Sequence, residues 1–137
     1  MLTENDVIDA VCDYLVAAGF KILRRSHTKQ KGTDIIAKRP EGPGRLLIEA
    51  KGETSADPRT KGYGTPFDSA QVQVHVAEAF RTAARFHDEH HSSGDFVGVA
   101  FPDTCLHRKY LGQVKSAIDS LGIPVYFVQR DRSVKLS

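Results

Sequence analysis

Cysteine is scarce in this sequence of 137 residues, and long hydrophobic runs are absent from it. The two cysteines, Cys12 and Cys105, are too few for a disulfide-stapled fold and match none of the paired spacings of zinc sites. No apolar stretch approaches the ~18 residues that a membrane-spanning helix needs. The N-terminal residues also lack the basic start and apolar run of a secretory signal peptide. We therefore expect a soluble, cytoplasmic protein with no membrane partner.

Internal repeats, low-complexity tracts and linker-like stretches rich in proline or glycine are also missing. Hydrophobic residues make up 40% of the chain and charged residues 26%, which is the composition of a globular protein. A chain of this length can bury one substantial core but not two ordinary ones. Residues 1–137 are therefore expected to form a single domain.

Net charge is small, at +2, but it is unevenly distributed along the chain. Residues 1–20 carry four acidic residues and no lysine or arginine, whereas residues 21–61 carry eleven basic residues against five acidic ones. A basic central third is compatible with a polyanionic partner. Clustered charges also occur simply because they keep a face solvated, so this observation alone does not assign a partner.

The pattern of apolar residues predicts the element order α-β-β-β-α-β-α-β. Helices are predicted from the capping-box sequence at Thr3 to Gly19, over 69–91 and over 107–121, and strands over 20–26, 34–38, 45–51, 95–101 and 124–129. The short turn between the second and third strands indicates an antiparallel hairpin. Strands mixed with crossover helices imply an α/β fold, in which helices flank a mixed central sheet.

The predicted hairpin carries two acidic residues and a lysine at positions that suit a metal site. Because side chains alternate along a strand, Glu49 and Lys51 lie on the same side of the third strand. Asp34 begins the neighbouring strand, where it could share a metal ion with Glu49. These two carboxylates and the main-chain carbonyl of Ala50 suit Mg²⁺, with Mn²⁺ as a possible substitute. The metal would activate a water and offset charge on a phosphodiester, while Lys51 orients that water.

A structural explanation of the same residues is the alternative. Asp34 could cap a strand end, and Glu49 and Lys51 could form an ion pair near the sheet edge. Glu49 nevertheless interrupts an otherwise apolar strand, where an acid costs free energy unless it has a partner. This position favours the catalytic interpretation.

The set formed by Asp34 and Glu49-Ala50-Lys51 resembles the active-site motif of the PD-(D/E)xK nuclease superfamily. The chain looks most like small Holliday junction resolvases and Mrr-like endonucleases. The resemblance implies a restriction-endonuclease-like fold, Mg²⁺-dependent hydrolysis of DNA phosphodiester bonds, and a homodimer that places two active sites on one junction. Because the chain leaves no room for a separate target-recognition domain, structure-selective cleavage is favoured over sequence-specific cutting.

Two further residues are candidates for supporting roles in catalysis. Glu4 lies in line with the buried stripe of the first helix, and the superfamily often has a glutamate there. The alternative is that Glu4 has no catalytic role, because an acid in the first turn is stabilised by the helix dipole. Gln71 begins the second helix, where superfamily members often carry a glutamine, although a solvated helix flank would look the same.

Basic residues flank the predicted carboxylates on both sides. We expect them to contact phosphates, which supply most sequence-independent affinity, and simple solubility is the alternative. They are Arg24, Arg25, Lys29 and Lys31 before the hairpin, and Arg59 and Lys61 in the loop after it.

Two other functions remain as alternatives to a DNA endonuclease. One is a catalytically silent DNA-binding module or accessory subunit, and the other is an RNA nuclease.

Overall fold

The computed structural model describes residues 1–26, 32–55 and 57–137. The helices in these ranges are α1 (Glu4–Ala17), α2 (Ser69–His90), α3 (Cys105–Gly112) and α4 (Lys115–Leu121), and a 3₁₀ turn, His91–Ser93, follows α2. The strands are β1 (Lys21–Arg25), β2 (Ile35–Lys38), β3 (Arg45–Ala50), β4 (Phe96–Pro102), β5 (Val125–Val128) and β6 (Val134–Leu136).

All of these strands belong to one mixed sheet, in the order β1-β2-β3-β4-β5-β6. The first three strands form an antiparallel meander, β4 and β5 run parallel to β3, and β6 is antiparallel to β5. In the hairpin, Ile35 pairs with Ile48 and Lys38 pairs with Arg45. The predicted hairpin and the predicted mixed α/β architecture are therefore confirmed.

Helices cover both faces of the sheet, and each face has its own core. On one face, Ile35 and Ile48 pack with the apolar stripe of α1. On the other face, Leu47 and Val99 pack with α2, α3 and α4. Because neighbouring side chains on a strand point to opposite faces, Glu49 joins Leu47 on the α2 face.

The helix predicted over 107–121 is wrong, because the chain breaks it into α3 and α4 at Gln113 and Val114. Two tight turns form there, with the Gln113 N–H bonded to the Tyr110 carbonyl and the Val114 N–H to the Leu111 carbonyl. Leu111 and Ile118, on either side of the break, are buried in the same core. The apolar spacing therefore continues across the break and conceals it.

Strand β6 is an addition to the predicted order. It has only three residues, and it pairs with β5 through Tyr126 and Leu136. Arg132, in the turn before it, adopts a left-handed conformation with φ of 69°. Such a short and mostly exposed strand leaves no periodic signal in the sequence.

In the described ranges, no helix combines the length and the apolar character needed to cross a membrane.

Gly52 allows the start of α1 to lie directly against the end of β3. A Cβ atom at Gly52 would lie 2.4 Å from the Glu4 nitrogen and 2.6 Å from the Thr3 carbonyl carbon. The Glu53 N–H donates to the Leu2 carbonyl beside it, at 2.9 Å. The absence of a side chain at residue 52 is therefore what brings Glu4 to this end of the sheet.

We expect Gly52→Ala to lower the free energy of unfolding by about 1–3 kcal/mol, because main-chain atoms of α1 must move to admit the methyl group. Urea denaturation measures the loss. Gly112→Ala is the matched control, since a Cβ atom there meets nothing within 4 Å and the residue is helical. That control should be neutral or stabilising by up to ~1 kcal/mol. Equal destabilisation by the two variants would contradict the close approach at Gly52.

Candidate active site

Asp34 lies immediately before β2 and bonds to the main chain of β3. Its Oδ2 accepts a hydrogen bond from the Ala50 N–H at 2.9 Å, and the residue is only 8% exposed. Its main-chain carbonyl accepts from the Ser26 N–H at 2.8 Å, which ties it to the end of β1. Three strand ends are therefore held together around one carboxyl group.

Lys51 lies beside Glu49 at the end of β3. Its Nζ is 3.9 Å from Glu49 Oε1 and 3.2 Å from Oε2 of Glu78, a residue of α2. The side chains of Glu49 and Lys51 are only 15% and 18% exposed. The Lys51 N–H also donates to the Ala100 carbonyl at 3.0 Å, which extends the pairing with β4. Both side chains therefore project from main chain that the sheet holds in place.

Burial opposes ionisation of both carboxyl groups, and the charge of Asp34 further opposes ionisation of Glu49. Burial, followed by the charge of Asp34, raises the pKa of Glu49 to about 8. Burial also raises the pKa of Asp34, although the Ala50 N–H and then Lys51 favour its charged form. The two groups are also within hydrogen-bonding reach of each other. Such a pair either shares a proton or requires a cation to balance two charges.

Glu4 approaches the same pair from α1. Thr3 and Asp6 form the predicted capping box, so the helix begins at Glu4 and the glutamate lies in its first turn. Burial, followed by repulsion from Asp34, raises the pKa of Glu4 to about 7, while Lys51 acts in the opposite direction. The structure therefore brings three acidic side chains and one lysine to the same end of the sheet.

The chemistry of these groups fits Mg²⁺. Within the described residues, no group of three or more His, Cys, Asp or Glu side chains is arranged as a ready-made metal cage. Magnesium, however, usually binds one or two carboxylates and keeps several waters. The N–H and C=O of a strand residue point the same way, so the Ala50 carbonyl faces the side on which Asp34 lies. Asp34, Glu49 and this carbonyl supply three oxygen donors of the preferred kind.

The side chain of Gln71 is hydrogen-bonded to Asp68 at the start of α2. Its Oε1 accepts from the Asp68 N–H at 2.8 Å, and its own N–H donates to Asp68 Oδ1 at 2.9 Å. This reciprocal pair is a capping box, and it accounts for the glutamine without a catalytic role. Its predicted catalytic role stays a prediction.

The two arginines of β1 lie on opposite faces of the sheet. Arg24 pairs with Ile36 and shares the α2 face, and its Nε donates to Ser26 Oγ and to the Thr33 carbonyl. Burial raises the pKa of Asp34, and Arg24 is among the cations that oppose this rise. Arg25 faces α1, where its Nη1 lies 3.0 Å from Asp9 Oδ1. Arg24 is thus near the carboxyl groups, and Arg25 is directed away from them.

For the other residues predicted to contact phosphate, the structure gives no interaction with Asp34 or Glu49 within the described ranges. Arg59 forms a two-pronged ion pair with Asp57 in the loop after β3, and its side chain is 76% exposed. Lys61 is exposed in the same loop. Lys29 and Lys31 lie outside the described residues.

Sequence reasoning missed Glu78, the closest ion-pair partner of Lys51. A signal was available, because Gln71, His75 and Glu78 follow the spacing of one helical face. His75 packs edge-on against Phe67, with ring centroids 4.6 Å apart. Burial, followed by the charge of Lys51, lowers the pKa of His75. The middle of α2 therefore faces Lys51, whereas its first turn serves the helix cap.

The raised pKa of Glu49 leads us to expect that charging this residue destabilises the fold. Between its ordinary pKa of 4.5 and the folded value of about 8, the folded protein holds a proton that the unfolded chain has released, so stability falls as pH rises. Glu49→Gln removes this titration. Without added metal, this variant should match the wild type near pH 5 and exceed it by about 1 kcal/mol or more near pH 8.

Urea denaturation across this pH range measures the difference. Glu41→Gln controls for a lost charge, because Glu41 is exposed in the turn between β2 and β3. A constant difference between wild type and Glu49→Gln from pH 5 to pH 8 would contradict the expectation.

Comparison with known proteins relates this chain to others through its fold. No protein-family model matches the sequence, and no curated protein matches it. Among solved structures, the chain is similar to an XisH family protein from Nostoc punctiforme, with a TM-score of 0.55 and 16% sequence identity. The match covers 95% of this chain and 96% of that one. The two proteins therefore share a fold over nearly their whole length.

Proposed function

We propose that this chain is a metal-dependent endonuclease of the PD-(D/E)xK type that hydrolyses DNA phosphodiester bonds. The observation that carries the proposal is the buried pair of carboxyl groups, Asp34 and Glu49, with the Lys51 ammonium 3.9 Å from Glu49. A purely structural ion pair between Glu49 and Lys51 does not need Asp34, whose charge makes Glu49 harder to ionise. A divalent cation would use both carboxylates as ligands.

Asp34, Glu49 and the Ala50 carbonyl would hold Mg²⁺ or Mn²⁺. When bound, the metal would supply an acidic water and a positive charge beside the phosphate. Lys51 donates hydrogen bonds to a phosphate oxygen or to the attacking water as charge develops. Glu4, beside the same pair of carboxyl groups, would accept or hold a proton.

Phosphate binding near this site is assigned to Arg24, with Arg59 and Lys61 in the loop after β3. Contacts between these residues and phosphate oxygens would add affinity without carrying sequence information. We therefore propose that the enzyme selects DNA by structure, as a Holliday junction resolvase does. We also propose that it acts as a homodimer, so that two sites meet one junction.

We expect Mg²⁺- or Mn²⁺-dependent cleavage when the protein is incubated with a four-way junction, a flap, a linear duplex and a single strand. EDTA should abolish it. Lys51→Ala should lower the cleavage rate by about 10²–10³-fold, because a donor aimed at developing charge is lost. Lys115→Ala is the matched control, since Lys115 is an exposed lysine paired with Asp119 on α4. Gel electrophoresis of end-labelled substrates measures the rates.

Cleavage that persists unchanged in Lys51→Ala would refute the assignment of this site. Metal-independent, salt-sensitive binding without any cleavage would instead identify a nuclease-fold DNA-binding module. The preferred substrate separates resolvase-like from restriction-like activity, and an RNA strand of the same sequence tests the choice of DNA.

The opposite orientations of Arg24 and Arg25 lead to a second expectation. Arg24→Ala should weaken DNA binding and reduce the slope of log K against log salt by about 1, because one phosphate contact is lost. Arg25→Ala should leave the DNA affinity and the salt slope nearly unchanged, since Arg25 faces α1 and pairs with Asp9. Fluorescence anisotropy across a salt series measures both quantities. Equal effects of the two variants would place the DNA elsewhere.

A further inference from the structure

Glu78 lies on the solvent side of Lys51. Its Oε2 is 3.2 Å from Lys51 Nζ, and its side chain is 56% exposed, against 18% for Lys51. On its inner side, Lys51 faces Glu49 at 3.9 Å. A phosphate that approaches Lys51 from solvent therefore meets the carboxylate of Glu78 first.

The main chain of Lys51 is held in place without any contribution from Glu78. The lysine N–H is bonded to the Ala100 carbonyl, and the side chain is mostly buried next to Glu49. Glu78, by contrast, ends a flexible and exposed side chain. Because Glu78 is exposed, solvent weakens this ion pair, and exchanging the carboxylate for another anion costs about 1 kcal/mol.

The two anions have matching chemistry. A carboxylate and a phosphodiester both offer negatively charged oxygens to the ammonium donors of lysine. Glu78 also adds a negative charge to the end of the sheet where Asp34, Glu49 and Glu4 already meet, and this charge repels DNA. Its removal should therefore favour DNA in two ways.

We propose that Glu78 competes with the phosphodiester for Lys51, so that DNA binding exchanges the Lys51–Glu78 ion pair for a Lys51–phosphate contact. This inference rests on the proposed function and adds to it a residue that limits DNA affinity at the site. Glu78 thus limits access of the phosphate to Lys51 and takes no part in phosphodiester hydrolysis.

The test measures DNA binding, with Ca²⁺ in place of Mg²⁺ so that binding is read without turnover. Glu78→Gln should bind a fluorescently labelled four-way junction about two- to fivefold more tightly than wild type, which corresponds to the worth of an exposed ion pair. Glu89→Gln is the matched control. Glu89 is a glutamate of the same helix with similar exposure, and it pairs with Arg85 instead.

Both substitutions are then repeated in a Lys51→Ala background, which makes a double-mutant cycle. If Glu78 competes for Lys51, the advantage of Glu78→Gln over Glu89→Gln becomes smaller when the lysine is absent, because only the repulsion between Glu78 and DNA remains. Weaker binding by Glu78→Gln, or a gain no larger than that of Glu89→Gln, overturns the inference. So does an equal gain in both backgrounds, because the effect would then be general repulsion.

Failure of the proposed function has a different signature. A wild-type protein that binds neither DNA nor RNA, with or without a divalent cation, refutes the proposed function and this inference together. A wild-type protein that binds and cleaves DNA while Glu78→Gln binds no more tightly refutes the inference alone.

Discussion

Beyond the last pair of the β2–β3 ladder, the main chain of β3 is bonded to a side chain, because the Ala50 N–H donates to Asp34 Oδ2 at 2.9 Å. This bond satisfies a buried donor whose loss would cost about 1–3 kcal/mol. It also fixes the Asp34 carboxyl beside Glu49, whose place is set by the pairing of β3 with β4. The relative positions of Asp34, Glu49 and the Ala50 main chain follow from these two strand contacts.

The same geometry makes the site unfavourable when it is empty of cations. Asp34 and Glu49 are held close enough to share a proton, and Glu4 is added to them by the contact of α1 with Gly52. Burial raises the pKa of each of these groups, so the fold is less stable when they are charged. Stability given up at one point of an otherwise well-packed sheet is typical of a functional site.

The sequence was sufficient to predict that Asp34, Glu49 and Lys51 lie together at one end of the sheet, because strand alternation and a short hairpin turn determine which side chains share a face. Gln71 shows where such reasoning becomes ambiguous, since a glutamine three residues after Asp68 also completes a capping box. Glu78 was missed because its contact with Lys51 depends on how α2 packs across the loop of residues 51–68. The break between α3 and α4 was invisible to periodicity for a related reason, because both helices bury apolar residues in one core.

A site lined with acids must still admit a polyanion if it is to cut DNA, and the arrangement around Lys51 suggests how. The inner carboxyl groups are buried and fixed, so their charge has to be balanced by a cation or by protons. The outer carboxylate of Glu78 is exposed, so it can turn into water at little cost. Lys51 lies between the two kinds of acid, 3.9 Å from Glu49 and 3.2 Å from Glu78. In the proposed exchange, Lys51 would stay paired with Glu78 until a phosphate takes the place of that carboxylate.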